Sequence, residues 1–234
     1  MTGSPRYAIY FAAGADNALS RFGAELLGYD AYTGDEVPFP QDALHVAPDW
    51  RDITADPRKY GFHGTLKAPM ALVSDKTEAE LTAACATFAA KAGRMPVVRP
   101  VVDSISGFIA VIPAEPVDAL QQLAADCVRE FDSFRPPLTD EGRARRKPEK
   151  LSERQREYLD GWGYPYVMEE FRFHMTLTGR LDAERRGPIL EMLRARFATL
   201  KLDTLAIDRI TLFMQDDAKA RFRIIGEWKL AAAS

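Results

Sequence analysis

Two stretches of this chain alternate apolar and polar residues with period two and carry the same word on their polar sides. In YGFHGTLKAP (60–69), Phe62, Gly64, Leu66 and Ala68 oppose His63, Thr65 and Lys67. In EFRFHMTLTG (170–179), Phe171, Phe173, Met175 and Leu177 oppose Arg172, His174, Thr176 and Thr178. This is the pattern of a half-buried strand. Each stretch is followed by a helical pattern (77–92 and 182–199) and then by strand-like runs (97–113, and TLAIDRITLFMQD with ARFRIIGEWKL as a closing hairpin turning near 216–219). A repeated order at this spacing is the mark of a duplicated unit, here 60–113 and 170–230. The expected architecture is α+β: a single bilobed domain over 1–234 with a pseudo-two-fold axis, antiparallel sheets lining a central cleft and helices outside. His63 and His174 are then expected on opposing walls of that cleft.

The remaining elements follow from local signals. RYAIYFAA (6–13) reads as a strand, and 16–28 as a helix started by Asp16 or Asn17 and stopped by Gly28. The segment 29–59, rich in Pro, Gly and Asp, reads mostly as loop. Thr77 and Glu80 form a capping-box pattern, and Pro116 opens a helix to about Phe131. The polar stretch 132–168 reads as a connecting loop with one charged helix ending at Gly161 or Gly163.

Bulk properties narrow the partners. A net charge of −3 and 28% charged residues in 234 describe an ordinary folded protein without the basic surface that long nucleic acid requires. A small anionic ligand needs only a local patch. Cys85 and Cys127 fall inside helical patterns and read as buried thiols of a reducing compartment. With no signal-like start and no apolar run near the ~20 residues of a membrane span, the expected location is the cytoplasm, with no membrane partner and no obligate protein partner. Neither His word has a metal-ligand spacing, so no metal and no cofactor are expected. His45 has no partner motif and reads as a loop or surface residue.

Paired His-x-Thr/Ser-hydrophobic words about a hundred residues apart, each on a strand after an aromatic-rich run, resemble the two-histidine (2H) phosphoesterase superfamily. YGFHGTLKAP, FRPPL (134–138), RR (145–146) and WGYPYVMEEFRFHMTLTGR (162–180) resemble its branch labelled phosphonate metabolism protein, domain of unknown function 1045. The resemblance covers nearly the whole chain and implies a bilobed phosphoesterase with both histidines in a central cleft.

The residues support the same chemistry. In-line hydrolysis of a phosphodiester takes a proton from water on one side of phosphorus and gives one to the leaving oxygen on the other. Two imidazoles with ordinary pKa values of ~6.5 can do both near neutrality. His63 and His174 are the expected acid–base pair, in interchangeable roles because the words are symmetric. Thr65 and Thr176 are the expected donors to non-bridging oxygens. Lys67 reads either as an anion ligand or as a solvated strand edge, and Arg172 either as a ligand or as a surface ion pair. In the basic run 135–156, the alternatives are a solvated helix face and a lid carrying arginines to a second anionic group; the resemblance points to Arg135. Trp162, Tyr164 and Tyr166 either stack on a base or sugar or pack between lobes, with Tyr166 the substrate-facing candidate. The expected function is metal-independent hydrolysis of a small cyclic phosphodiester, a nucleoside 2′,3′-cyclic phosphate or a ribose cyclic phosphate. The alternatives are RNA end processing or 2′–5′ ligation, and non-catalytic binding of a phosphate ligand.

Overall fold

Strand β1 (Arg6–Phe11) is buried along almost its whole length rather than on alternate residues. The reason is that both its faces are covered. Tyr7, Ile9 and Phe11 join the main core, while Ala8 and Tyr10 join a second cluster with Tyr29, Phe213 and Phe222. The computed structural model describes residues 4–93 and 95–231. After β1 come α1 (Ala18–Leu27), the short α2 (Gln41–Val46), α3 (Trp50–Ile53) and α4 (Ala55–Arg58), then β2 (Gly64–Met70) and α5 (Glu78–Lys91). Strands β3 (Val97–Val98), β4 (Pro100–Ile105) and β5 (Phe108–Pro113) lead to α6 (Asp118–Glu130), α7 (Asp140–Arg145) and α8 (Glu153–Trp162). The chain ends with β6 (Met175–Thr176), α9 (Ala183–Ala198), β7 (Leu205–Ala206), β8 (Arg209–Gln215) and β9 (Arg223–Lys229). Among the described residues no helix is long and apolar enough to cross a membrane.

The local signals at the helix ends take the expected form. Asn17 caps α1 through the Leu19 N–H, and Gly28 ends it in the left-handed conformation at φ 68°. Thr77 and Glu80 form a reciprocal capping box on α5, and Gly163 ends α8 at φ 71°. The segment expected as loop differs, since 29–59 contains α2, α3 and α4. Tertiary contacts hold these turns: the buried Trp50 indole donates to the Leu26 carbonyl at 2.8 Å, and the buried Arg58 donates to the Leu27 carbonyl at 2.6 Å. Such partners lie outside any local window, so propensity does not register them.

Seven strands form one antiparallel sheet in the order β4-β5-β6-β2-β1-β8-β9, and β3 pairs with β7 beside it. The order strand, helix, strand, helix, short strand, strand occurs twice, from Arg6 to Ile105 and again from Phe108 to Gln215, leaving aside α2, α3 and α4 in the first and α7 and α8 in the second. Corresponding strands meet across one axis: β2 pairs antiparallel with β6, and β3 with β7. Moreover, β4 pairs with β5 and β8 with β1, so each half-sheet takes its last strand from the other unit. Neither unit has a complete sheet alone. The repeat thus runs further upstream than the sequence spans 60–113 and 170–230 indicated.

The expectation of opposing walls requires correction. The two histidine strands lie side by side in one sheet, joined at the single register pair Gly64↔Met175. The 170–179 stretch is also less strand-like than its alternation implies, with only Met175–Thr176 in the ladder. A helical turn at Met168–Glu170 precedes it, and beyond it the Thr178 hydroxyl takes the Ile109 N–H.

Close approach at this junction depends on Gly64. A Cβ placed there would lie 2.4 Å from the Phe173 ring, which packs over the glycine from the segment just before β6. Gly64→Ala is therefore expected to push Phe173, and with it His174, away from β2. Overpacking of this kind costs about 1–3 kcal/mol, to be read from urea unfolding.

Candidate active site

His63 stands immediately before β2 and His174 immediately before β6. Extending the register Gly64↔Met175 by one residue each way sets His63 opposite Thr176 and Thr65 opposite His174. The four side chains occupy one face. Directly opposed residues have Cβ atoms about 4.5–5.5 Å apart, and diagonal ones, here the two histidines, about 7–8 Å. The structure thus brings His63, Thr65, His174 and Thr176 together.

Both imidazoles are held in the same way. His63 Nδ1 lies 2.9 Å from the Gly61 carbonyl oxygen, and His174 Nδ1 lies 2.7 Å from that of Arg172. A carbonyl only accepts, so each Nδ1 carries the proton and each neutral ring presents a bare Nε2. At His63 that Nε2 is 3.2 Å from the Thr65 hydroxyl, which donates to it.

The surroundings differ. His63 stacks on Tyr10 from β1 with ring centroids 3.7 Å apart, and Phe213 leans on it at 5.9 Å. His174 has a tilted contact with Phe108 at 5.4 Å. Burial pushes the His63 pKa down to about 4; the Gly61 carbonyl opposes this, and positive charge on His174 adds to it. Burial also lowers His174, against the Arg172 carbonyl.

A cavity of about 470 Å³ opens at the Thr65–His174 side of this face, and His63 and Thr176 are not among its lining residues. Its lining includes Thr65 and His174, and Arg172, Tyr166 and Arg180 also reach it. Tyr164 packs edge-on against Tyr166 at 5.6 Å, so the connecting segment supplies one wall. Arg172 and Tyr166 accordingly lie where a ligand would meet them.

Two expected ligands do not. Lys67 is buried, with Nζ donating to Asp132 at 2.7 Å and to the Val128 carbonyl at 3.1 Å. The cause is in β2, which carries two register shifts against β1, between Tyr7 and Ile9 and between Ile9 and Tyr10, each inserting one residue. The second of these, which falls between Thr65 and Lys67, breaks the alternation that put Lys67 beside Thr65 and turns it to α6. Arg135 is likewise spent within the protein, on both Asp132 oxygens and on the Pro136 and Gly161 carbonyls. Thr178 is fully buried and bonds to Gly179 and Ile109.

Sequence reading missed Tyr10, Phe108 and Arg180. Arg180 had a signal, as the last residue of the 162–180 word. Tyr10 had none, because its pairing with Thr65 is a long-range register. Among the described residues no three His, Cys, Asp or Glu side chains converge as a metal-ion ligand set.

Fold and site together define an α+β protein with two intertwined units, each contributing a histidine and a threonine to one face of a shared sheet. The chain belongs to the family described as "Protein of unknown function (DUF1045)", which matches residues 65–223. It is similar to ribose 1,5-bisphosphate phosphokinase PhnN of Janthinobacterium sp. (strain Marseille), 35% identical over an alignment of 227 residues that covers 93% of this chain and 49% of that protein. The PhnN of Laribacter hongkongensis (strain HLHK9) is 30% identical over 230 residues, 98% of this chain and 53% of that one. The chain spans about half the length of the curated relatives it matches. Among solved structures it is similar to E. coli LigT in apo form, with a TM-score of 0.45 and 14% identity, covering 98% of this chain and 99% of that one. The complex of E. coli LigT with 3′-AMP gives 0.46 at 14% identity, with the same coverage.

Proposed function

We propose that the protein is a phosphoesterase that hydrolyses a small cyclic phosphodiester by paired-histidine acid–base catalysis without a metal ion. The observation that carries this reading is the shared orientation of the two rings, each Nδ1–H tied to a backbone carbonyl two residues back, which turns both Nε2 atoms away from the backbone, that of His63 onto the Thr65 hydroxyl. His63 Nε2 takes a proton from water as its oxygen bonds to phosphorus. The bond to the leaving oxygen breaks, and His174 Nε2–H protonates that oxygen. Thr65 and Thr176 donate to the non-bridging oxygens, Thr65 turning from His63 to do so. The deeper depression at His63 favours it as the base, and the more open His174 as the acid.

The cavity and the relatives support this substrate class. A volume of about 470 Å³ with Tyr164 and Tyr166 on one wall suits a nucleoside- or sugar-sized phosphate. The curated relatives are named for a kinase of phosphorylated ribose. This chain has no G-x-x-x-x-G-K-[S/T] phosphate loop, so the phosphoesterase reading assigns it a different step from that kinase on a related sugar phosphate, within phosphonate metabolism. A ribose cyclic phosphate is the leading substrate, and a nucleoside 2′,3′-cyclic phosphate shares its reacting group.

Phosphorus NMR of cyclic and linear phosphodiesters incubated with the protein in EDTA tests this. Turnover of a cyclic compound is expected, and activity that disappears on chelation contradicts the metal-free mechanism. The pH profile is a second check. As pH falls through about 4, His63 gains a proton and the base is lost; as pH rises through the lowered pKa of His174, the acid is lost. The kcat/KM optimum is therefore expected on the acidic side of His174's ordinary value of ~6.5. A profile still rising above neutrality excludes this assignment.

A further inference from the structure

We propose that the cavity holds a second phosphoryl group besides the one that reacts, so that the substrate carries a phosphodiester and a phosphomonoester. The inference rests on the phosphoesterase reading and adds a subsite to it. Arg172 and Arg180 line the cavity, and Arg146 lies over the Tyr164 ring at 5.1 Å. All three are exposed and, among the described residues, make no side-chain hydrogen bond or ion pair. Their neighbours behave differently: Arg135, Arg143 and Arg154 are spent on Asp132, Asp160 and Glu169. Glu170, the carboxylate on this lining, is engaged by the Gln155 amide at 2.8 Å instead of by either arginine.

In a chain of net charge −3, the two unneutralised guanidinium groups on this lining, Arg172 and Arg180, make a local positive field. A single phosphodiester carries one negative charge and is already served by two imidazoles and two threonine hydroxyls. The arginines exceed that need. A phosphomonoester dianion supplies the missing partner, since its oxygens match the planar donor fork bidentately. Arg172 is two residues from His174 and faces the same way, so the second group sits on the His174 side, separated from the reacting phosphorus by the sugar.

The test uses two compounds with the same reacting diester, adenosine 2′,3′-cyclic phosphate and its 5′-phosphorylated form. The wild-type protein is expected to show a kcat/KM about ten- to a hundredfold higher for the 5′-phosphorylated compound, the usual scale of a charge-assisted phosphate contact. In Arg172→Met/Arg180→Met that advantage shrinks at least tenfold, and the corresponding lysine variant retains part of it. Titration calorimetry of both compounds against His63→Ala/His174→Ala separates this subsite from the chemistry. Tighter binding of the 5′-phosphorylated form, abolished by the two methionines, supports the subsite even where neither compound is hydrolysed, a result that removes only the phosphoesterase reading. Equal affinity for the two compounds, or no measurable affinity for the phosphorylated one, overturns the proposal.

Discussion

Alanine at His174 is expected to lower kcat for cyclic phosphodiester hydrolysis by about 10²–10⁴-fold, and alanine at His63 to do the same. The two losses should not multiply. In the proposed mechanism each ring performs one half of a single proton exchange about phosphorus, so the double variant is expected to fall little below either single one. Folding must be followed in parallel, because the side chains differ in structural weight. His174 has one ring contact, with Phe108, and one hydrogen bond, to Arg172. His63 fills the space between Tyr10, Tyr60 and Phe213, and its removal leaves the Tyr10 ring uncovered. His63→Ala is thus expected to lower the unfolding midpoint as well, whereas His174→Ala leaves it nearly unchanged. Turnover within threefold of wild type in both variants, measured by phosphorus NMR, would dispose of the paired-imidazole mechanism.

The candidate site was legible in the sequence to the extent that it depends on short periodicity. Alternation around His63 and His174 identified the polar faces, and the repeated His-x-Thr word joined them before any contact was known. How the faces meet was not legible. Side-by-side pairing at Gly64↔Met175 is a long-range register that a glycine at 64 makes possible under Phe173. Lys67 illustrates the limit most directly. Strict alternation placed it beside Thr65, but an inserted residue in β2 is invisible without the partner strand, and one such residue reverses the side chains that follow until the next shift. Arg135 was misread for a related reason: a basic run does not reveal which member is claimed by a carboxylate three residues back. The exchange of β4 and β8 between the two units also escaped, since it concerns which strands pair and leaves no local trace.

The Lys67–Asp132–Arg135 group has a consequence large enough to measure. The Lys67 side chain is 4% accessible and that of Asp132 25%, and Asp132 receives both Lys67 and the Arg135 fork. Burial lowers the Lys67 pKa and Asp132 opposes that; burial alone would raise Asp132, but hydrogen bonds from Arg135 and Lys67 hold it below the usual carboxylate range. Asp132→Ala leaves two adjacent cations, one of them inside the protein with only the Val128 carbonyl. Removing one partner of a buried pair costs about 3–5 kcal/mol, and that loss is expected in urea unfolding near pH 7. Pairing the change with Lys67→Met should restore most of it, because a well-packed apolar side chain requires no counter-charge. The wild type carries a pH signature of the same contact. A depressed carboxylate stabilises the fold above its unfolded pKa and loses that contribution as pH falls through the folded value, so Asp132→Ala should be less sensitive to acid than wild type below about pH 4. Arg135 extends the effect to the site. It joins Asp132 to the Gly161 carbonyl at the end of α8, just before the Tyr164–Tyr166 wall. With that prop loosened, KM should rise more than kcat falls. A loss below 1 kcal/mol in the single variant, or no recovery in the double, shows that Lys67 is satisfied by other means.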